Sequence, residues 1–346
     1  MTSPIALTVA GYGLVGRRHA AAISQVPGVE VQSVVDPDPA ARAQAAAEGH
    51  AIHETLEACL AGGGVDGVIL ATPNALHVEQ ASLCVEAGCP VLIEKPIATR
   101  SAEAEGLVAL AAARGVPILV GHHRRHNPLI HRAREIIERG DIGEIRAVQA
   151  TCWFYKPDAY FDQAPWRRQA GAGPVSVNLV HDVDLLRYLC GDVATVRAVA
   201  RPAVRGGENE DVAGALLEFR TGAIGTITVS DSIAAPWSWE MTSGEYPIYP
   251  RSGESCYLIG GSRGSLSLPD LRVWTHADGP PDWWTPISAR AEIRDATDPL
   301  MNQIAHFADV IRGHARPLVS GEEGLRTLKV IEAIQRSAVS GASIDL

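Results

Sequence analysis

The feature that most limits the fold of this chain is a glycine-rich turn between a buried strand and a helix. The apolar run Ile5 to Ala10 has the composition of a strand that is covered on both faces. Directly after it comes the sequence Gly11-Tyr12-Gly13-Leu14-Val15-Gly16. Glycines at these spacings let the backbone approach a pyrophosphate, and the following helix offers its N-terminal N–H groups to it. These six residues therefore predict a dinucleotide-binding βαβ unit.

A carboxylate after the next strand completes this motif. Asp36 follows the apolar run Val29 to Val35, at the spacing of about 20 residues that the motif requires. Its oxygens can accept hydrogen bonds from the ribose hydroxyls of adenosine, and its charge would repel a 2′-phosphate. The sequence therefore predicts NAD, rather than NADP, as the cofactor. A glycine turn that binds nothing is the alternative interpretation.

Short apolar runs alternate with alanine-rich helical stretches through the first third of the chain. Further strand-like runs are Val68 to Ala71, Val91 to Ile93 and Ile118 to Val120. This alternation is typical of a doubly wound parallel sheet with helices on both faces. We therefore predict an α/β protein with an N-terminal NAD-binding Rossmann domain over residues 1–122.

After residue 122 the strands mix apolar and polar positions, as in a sheet with one polar face. We predict that residues 123–346 form an α+β domain for substrate binding and oligomerisation. Its core is a large, mostly antiparallel sheet, and its C-terminal helices can pack back on the Rossmann domain. The predicted strands are Arg146 to Phe154, Val193 to Ala200, Val212 to Phe219, Ala223 to Val229, Ser255 to Ile259 and Ser265 to Leu268.

Charge and composition argue against several kinds of partner. The chain has 346 residues and a formal net charge of -10, which disfavours nucleic acid and anionic membrane surfaces. No apolar run approaches the roughly 20 residues that span a bilayer. The six cysteines are dispersed without a CxxC pair, as is typical of reduced thiols. With no secretory signal recognisable in the sequence, we expect a cytoplasmic protein.

A second cofactor signal follows the strand Val68 to Ala71. It consists of Thr72-Pro73-Asn74 and of His77. Ligands of open α/β sheets bind at the carboxyl ends of the strands, so these four residues are predicted to contact the cofactor. For Asn74 and His77 an ordinary turn between strand and helix is an equally good interpretation.

A third signal, Glu94-Lys95-Pro96, ends the strand Val91 to Ile93. Glu94 and Lys95 are predicted to belong to the same cofactor site. Near a nicotinamide, the ammonium of Lys95 could bind the reacting hydroxyl and stabilise a developing alkoxide. A surface lysine is the alternative interpretation.

His181 begins a helix-like segment after the loop Gly171-Ala172-Gly173-Pro174. A histidine titrates in the range that suits proton exchange with an alcohol, so His181 is a candidate acid/base residue. A structural histidine is an equally good interpretation of the residue alone. Asn178, one helical turn earlier, could orient its ring.

A cluster of histidines follows the strand Ile118 to Val120. His122, His123 and His126 have no acidic or cysteine partner at ligand spacing, and we predict no metal site. Contacts with a substrate are predicted instead, partly because arginines accompany these histidines. The predicted substrate-binding residues are His123, Arg124, Trp166, Arg167, Asn178 and His181.

Taken in order, these motifs resemble those of the Gfo/Idh/MocA oxidoreductases, a family that includes glucose–fructose oxidoreductase and myo-inositol dehydrogenases. The resemblance covers nearly the whole chain. It is carried by the glycine motif with Asp36, by Thr72-Pro73-Asn74 with His77, by Glu94-Lys95-Pro96, by the sequences from Gly121 to Pro128 and from His181 to Leu186, and by the tail from Pro317 to Leu325.

The resemblance implies a hydride transfer between NAD(H) and a hydroxyl-bearing carbon of a sugar, cyclitol or related cyclic alcohol, acidic ones included. Lys95 would lie beside the nicotinamide, with a cis bond before Pro96, and His181 would be the acid/base residue. The large sheet would mediate a homodimer or homotetramer.

One position departs from the family pattern. Many members carry an aspartate four positions before the histidine, and this chain has Val177 there. This departure leaves room for a non-catalytic NAD-binding regulator. The resemblance also leaves open an NAD-using glycosidase or internal-redox enzyme with tightly bound cofactor, and a reductase of imines or dihydrodiols.

Overall fold

The first part of the chain folds into a six-stranded parallel sheet. Its strands are β1 (Ile5–Ala10), β2 (Val29–Val35), β3 (Ala51–His53), β4 (Gly67–Leu70), β5 (Val91–Ile93) and β6 (Ile118–Val120). They lie in the order β3-β2-β1-β4-β5-β6. The direction of winding reverses between β1 and β4, and ligands of such sheets bind outside the strand ends at this point. The structure is a computed structural model that describes residues 3–276, 279, 281–293 and 295–346.

Helices connect these strands, and local sequence sets where several of them begin. Asp38 accepts a hydrogen bond from the N–H of Ala40, and Thr55 accepts one from the N–H of Ala58. Both are N-cap contacts, which satisfy donors that the first turn leaves unpaired. The helices are α1 (Leu14–Ile23), α2 (Pro39–Ala47), α3 (Leu56–Gly62), α4 (His77–Glu86) and α5 (Ser101–Arg114).

The second sheet has nine strands and is mostly antiparallel. Its strands are β7 (Ile145–Trp153), β8 (Val193–Pro202), β9 (Glu210–Phe219), β10 (Ile224–Ser230), β11 (Tyr257–Gly261), β12 (Gly264–Leu268), β13 (Arg272–Thr275), β14 (Ser288–Ala291) and β15 (Ile344–Asp345). Their order is β14-β13-β12-β11-β7-β10-β9-β8-β15. Only the central pair β7 and β10 is parallel among the described strands, so the ends of these two strands meet at one edge of the sheet.

The remaining helices are α6 (Pro128–Glu138), α7 (Asp158–Asp162), α8 (Val180–Cys190), α9 (Trp239–Thr242), α10 (Pro299–Ile311) and α11 (Gly321–Ser340). A π-helical turn, Val175–Leu179, leads directly into α8. Val183 and Leu186 of α8 are fully buried in the core beneath the second sheet. The π-helical turn is notable because such turns occur mostly at functional sites.

Contacts divide the chain into two compact units. The first comprises Met1–Asn127 and Thr297–Leu328, and the second comprises Pro128–Ala296 and Lys329–Leu346. Helix α10 therefore belongs to the first unit, where Ile304 and Phe307 are buried with strand residues of the parallel sheet. The first continuous segment ends five residues beyond the predicted boundary at residue 122. A second boundary, between Leu328 and Lys329, falls inside α11.

The predicted fold class is confirmed, and the differences concern short strands. Strand β3 was not predicted because it has three residues at the edge of the sheet, two of them exposed. Strand β14 was missed for a similar reason, since all four of its residues are exposed and no apolar alternation marks it. In the described part of the chain, no helix is long and apolar enough to cross a membrane.

The packing of α10 gives a test of the first unit. Phe307→Ala removes a fully buried ring from the core beneath the parallel sheet, and we expect the free energy of unfolding to fall by about 3–5 kcal/mol. Urea denaturation followed by circular dichroism measures this change. Val339→Ala, at a position 91% exposed, is the control and should cost less than about 0.5 kcal/mol. Equal stability of the two variants would contradict the placement of α10 in this core.

Candidate active site

The glycine turn after β1 is held by close backbone packing. A Cβ atom on Gly11 would lie 2.6 Å from the carbonyl oxygen of Ala71, and Gly11 has a φ of +85°. A Cβ atom on Gly16 would lie 1.8 Å from the carbonyl oxygen of Gly11. Both positions therefore require glycine for packing within the protein.

Gly13 differs from its two neighbours in the motif. No described atom lies within 4 Å of the place where its Cβ would be, so its missing side chain leaves open space above the start of α1. The side chain of the cap residue cannot bond the first turn of α1, because that residue is Gly13 itself. The N–H groups of this turn can therefore face an anion, as in other pyrophosphate sites.

Asp36 lies next to this turn with both carboxylate oxygens held. Tyr12 N–H donates to Oδ2 at 2.7 Å, and Asp38 N–H donates to Oδ1 at 2.8 Å. The Tyr12 hydroxyl points elsewhere, since it donates to Glu48 at 2.5 Å, and burial with that carboxylate raises the pKa of Tyr12 to about 12. Tyr12 therefore contacts the Asp36 carboxylate through its backbone N–H and not through its hydroxyl.

An open cavity of about 620 Å³ lies beside Asp36, at the carboxyl ends of three strands. Ala10 of β1 and Val35 of β2 line one part of it, and Thr72 and Leu76 after β4 line another. The apolar Leu76 and the nearby carboxylate suit an adenosine, with the ring on the side chain and the ribose at the acid. Together with the open space at Gly13, the residues present fit NAD.

His77 is fully buried at the start of α4. Its Nδ1 lies 2.8 Å from the carbonyl oxygen of Pro96, and its Nε2 lies 3.0 Å from the carbonyl oxygen of Thr72. The side chain therefore reaches the cofactor site only through these two backbone groups. The bond between Lys95 and Pro96 is cis, as the family resemblance implies.

Glu94 forms the charged centre of the neighbouring strand end. His19 Nε2 lies 2.7 Å from Glu94 Oε1, and Lys95 N–H donates to Oε2 at 3.1 Å. Burial opposes ionisation of Glu94, but the hydrogen bond with His19 and the nearby charges of His19, His123 and Lys95 lower its pKa to about 2. The carboxylate is therefore ionised at neutral pH, directly beside Lys95.

His19 was not predicted as a site residue, although the sequence carries a signal for it. Gly16, His19, Ala20 and Ile23 recur at helical spacing and form the buried face of α1. A histidine on such a face needs a polar partner, and that partner follows β5 in the sequence. No local pattern identifies which strand end provides it.

The predicted substrate residues of the histidine cluster lie in a 3₁₀ turn, His123–His126. Arg124, Arg125 and His126 are buried, and Arg125 forms an ion pair with Glu323 at 2.9 Å. Within the described residues, no group of three or more His, Cys, Asp or Glu side chains could hold a metal ion. The buried arginines show that this turn also packs within the first unit. Substrate contact by His123 and Arg124 stays a prediction.

In the second unit, the π-helical turn precedes His181. Asn178 and His181 are both about nine-tenths buried. The next residue, Asp182, is fully buried and accepts a hydrogen bond from the Tyr257 hydroxyl. Trp239 stacks on Tyr257 with ring centroids 5.7 Å apart. The backbone that carries His181 is therefore anchored to β11 through its neighbour.

The other predicted substrate residues of the second unit lie at a second, narrow cavity or next to it. Arg167 lies over the Tyr160 ring at 3.9 Å and lines this cavity together with Asp231. Trp166 is 54% exposed. Burial raises the pKa of Asp231 and lowers that of its partner Lys156, whose Nζ is 3.5 Å away. This cluster, with the partly buried arginine, was not predicted as a unit.

A doubly wound parallel sheet with this glycine turn and Asp36 defines a dinucleotide-binding oxidoreductase domain. Residues 5–122 match the family described as an oxidoreductase family with an NAD-binding Rossmann fold. Residues 130–267 match the GFO/IDH/MocA C-terminal domain. The chain belongs to the Gfo/Idh/MocA family of oxidoreductases. The predicted family, enzyme class and NAD cofactor are thereby confirmed.

Individual relatives resemble the chain over most of its length. Inositol 2-dehydrogenase 2 of Saccharopolyspora erythraea is 31% identical over 357 residues, which cover 97% of this chain and 93% of the relative. The rhizopine catabolism protein MocA of Rhizobium meliloti is 30% identical over 265 residues, 73% of this chain and 81% of that protein. The WlbA dehydrogenase from Bordetella pertussis, solved with NADH and UDP-GlcNAcA, is 29% identical with a TM-score of 0.81, and 99% of each chain is covered.

The glycine turn yields a contrast between two neighbouring substitutions. Gly13→Val points into open space but changes the N-cap residue of α1, so stability should fall by about 1 kcal/mol or less. NAD affinity should fall on the order of tenfold or more because the side chain blocks the pyrophosphate. Gly16→Ala meets the Gly11 carbonyl and should cost at least about 3 kcal/mol of stability. Calorimetric NAD titration and urea denaturation distinguish the two. Unchanged NAD affinity in a folded Gly13→Val protein would contradict this assignment.

The ionised state of Glu94 predicts a pH dependence of stability. Its pKa in the folded protein lies below its ordinary value of 4.5, so its contribution is fully present above that value and is lost as the pH falls toward 2. Glu94→Gln should therefore be less stable than the wild type at pH 7, by a difference that shrinks toward about pH 3.

Urea denaturation at several pH values measures this difference. Glu86→Gln, at an exposed position of α4, is the control and should follow the wild type throughout. A Glu94→Gln deficit that is the same at every pH would show that Glu94 acts through packing alone.

Proposed function

We propose that the chain oxidises or reduces a hydroxyl-bearing carbon of a sugar, cyclitol or related cyclic alcohol, with Lys95 and His181 as its catalytic residues. The observation that carries this proposal is the charged strand end of β5. There Lys95 follows a partly buried, ionised Glu94 at the edge where an open α/β sheet binds its ligand. A chemical role explains a lysine in this position better than packing does, because lysine is rarely held near the protein interior without a role.

The cofactor would be held by residues of the first unit. The N–H groups at the start of α1, reached across Gly13, would bind the pyrophosphate, and Asp36 would accept the ribose hydroxyls. When bound, NAD⁺ supplies the acceptor for the hydride. The ionised carboxylate of Asp36 favours NAD over NADP by charge repulsion.

The two catalytic residues divide the work at the substrate hydroxyl. In the direction of oxidation, the hydroxyl proton passes to an imidazole nitrogen of His181 as the carbon loses its hydride and the C=O bond forms. The Lys95 ammonium donates a hydrogen bond to the same oxygen and stabilises the negative charge that develops there. Reduction reverses each step.

The position of Val177 shapes this division. A valine cannot exchange protons, so His181 and Lys95 would handle the proton without a carboxylate four residues earlier. Asp182 does not take the place of that carboxylate, because it is fully buried and accepts a hydrogen bond from the Tyr257 hydroxyl. We infer that Asp182 and Tyr257 hold the helix start in place while the imidazole of His181 exchanges the proton.

The proposed substrate class rests on relatives and on the charge of the second unit. The relatives named above include an inositol dehydrogenase and a dehydrogenase solved with a sugar nucleotide acid. The guanidinium of Arg167 and the exposed ring of Trp166 beside it suit an acidic group and an apolar sugar face. His123, Arg124 and Asn178 are proposed to complete the substrate contacts.

Association of like chains is part of the same proposal. One cross-strand row of the second sheet contains exposed Leu216 and Leu258 on either side of Thr226 and Gln149. Exposed leucines on a broad sheet face are typical of contact surfaces. A homodimer or homotetramer formed through this face is expected, and light scattering after size exclusion measures it.

The first experiment is to purify the protein and to test it for retained NAD(H) by absorbance and mass spectrometry. NADH formation is then followed with added NAD⁺ against sugars, inositols and sugar acids. Net NADH with one of these supports the proposed dehydrogenase. Retained cofactor with turnover but no net NADH would favour the glycosidase or internal-redox alternative, and NAD binding without turnover of any substrate would favour the regulator.

Substitution of the two catalytic residues tests their roles. Lys95→Ala and His181→Ala should each lower kcat/KM by about 10²–10⁴-fold, the usual contribution of an acid–base or electrostatic group. NAD affinity, measured by calorimetry, should change far less. His131→Ala, at an exposed position of α6, is the matched control and should match the wild type. Near wild-type turnover in either catalytic variant would remove that residue from the mechanism.

A further inference from the structure

The His77 side chain joins two strand ends of the first unit. It lies at the start of α4 and is fully buried. Its ring bridges the carbonyl oxygen of Thr72, at 3.0 Å, and that of Pro96, at 2.8 Å. Thr72 follows β4 and lines the 620 Å³ cavity, and Pro96 comes directly after Lys95. One ring thus links the cofactor turn to the segment that carries the proposed catalytic lysine.

The chemistry of the two partners restricts the state of the ring. A carbonyl oxygen only accepts hydrogen bonds, and a neutral imidazole carries only one N–H. Both contacts are hydrogen bonds only when the ring is an imidazolium with two N–H groups. In the neutral ring, one nitrogen lone pair faces a carbonyl oxygen at hydrogen-bond distance, which is unfavourable, and one of the two links is lost.

Several charges act on this ring. The Glu94 carboxylate, after β5, favours the imidazolium. Lys95 directly precedes Pro96, and Glu79 lies exposed on α4. Gln80 of α4 is neutral and accepts a hydrogen bond from the Thr72 hydroxyl at 2.6 Å. Burial is the largest influence and lowers the pKa of His77 below its ordinary value of 6.5, against the two carbonyls and Glu94.

We propose that His77 is a positioning residue whose protonation ties the Thr72 turn to the Lys95–Pro96 segment and whose deprotonation releases one of these links. This role rests on the proposed function of Lys95. The imidazolium forms on the acid side of neutrality, so the double link is complete at low pH and is lost as the pH rises. Lys95 is therefore held most firmly, relative to the cofactor turn, when the ring is protonated in acidic solution.

Nitrogen-15 NMR of histidine-labelled protein with bound NAD⁺ tests the protonation directly and needs no turnover. The His77 resonances are assigned by their loss in His77→Gln, or by selective labelling if that variant does not fold. At the acid limit of the range in which the protein stays folded, both ring nitrogens of His77 should carry a proton, and at about pH 8.5 only one should.

His306 is the internal control for this measurement. Its Nε2 accepts a hydrogen bond from the Leu318 N–H at 3.0 Å, so its resonances show how a ring nitrogen that faces a donor differs from one that faces a carbonyl oxygen. If His77 carries a single proton throughout the range in which the protein stays folded, the proposal is overturned.

The second test compares the kcat/KM values of the wild type and His77→Gln across this pH range. The ratio cancels titrations that both proteins share, such as those of Lys95 and His181. We expect the variant to be reduced on the order of tenfold at the acid limit of the range in which the protein stays folded, and clearly less at about pH 8.5, because only the imidazolium makes the second link. The loss should fall mainly on kcat.

A ratio that is independent of pH would overturn the positioning role, since packing alone predicts a constant deficit. Failure of the proposed function has a different signature. In that case neither protein turns over the tested substrates, while the NMR titration of His77 still gives its own answer on the state of the ring.

Discussion

Much of the candidate site depends on the close approach of the backbone at the glycine turn. Gly16 leaves no room for a Cβ atom beside the Gly11 carbonyl, and this contact sets where α1 begins against β1. The position of α1 in turn brings His19, one helical turn further on, to Glu94. Glu94 accepts the N–H of Lys95. The lack of space for a Cβ atom at Gly16 thus helps to set the position of the proposed catalytic lysine, through helix α1 and the contact between His19 and Glu94.

The same edge of the sheet carries polar side chains that pair with one another. Glu94 follows β5 and pairs with the buried His19 of α1, and the buried His77 at the start of α4 contacts the backbone after β4 and β5. Buried polar groups are costly unless they are paired, so their pairing makes the edge rigid. A rigid edge holds a cofactor and a lysine in a constant relation, which hydride transfer requires.

Prediction from the sequence succeeded where a pattern is local. Strands β1, β2, β4, β5 and β6 were recognised because each is a mostly apolar run, and the nucleotide motif because its glycines and Asp36 stand at defined spacings. Edge strands such as β3 and β14 carry no such run. Packing of the C-terminal helices back on the Rossmann domain was predicted only as an option, because the apolar face of α10 shows that this helix is buried but not against which sheet.

The sequence by itself determined the family, the fold class and the kind of cofactor. These follow from short motifs whose residues act through their own backbone, as at Gly13. The tertiary structure alone decided which side chains meet. His19 contacts Glu94 across 75 residues, and His77 contacts Pro96 across 19. Such pairs depend on strand order and on the placement of helices over the sheet, and no local propensity encodes either of these.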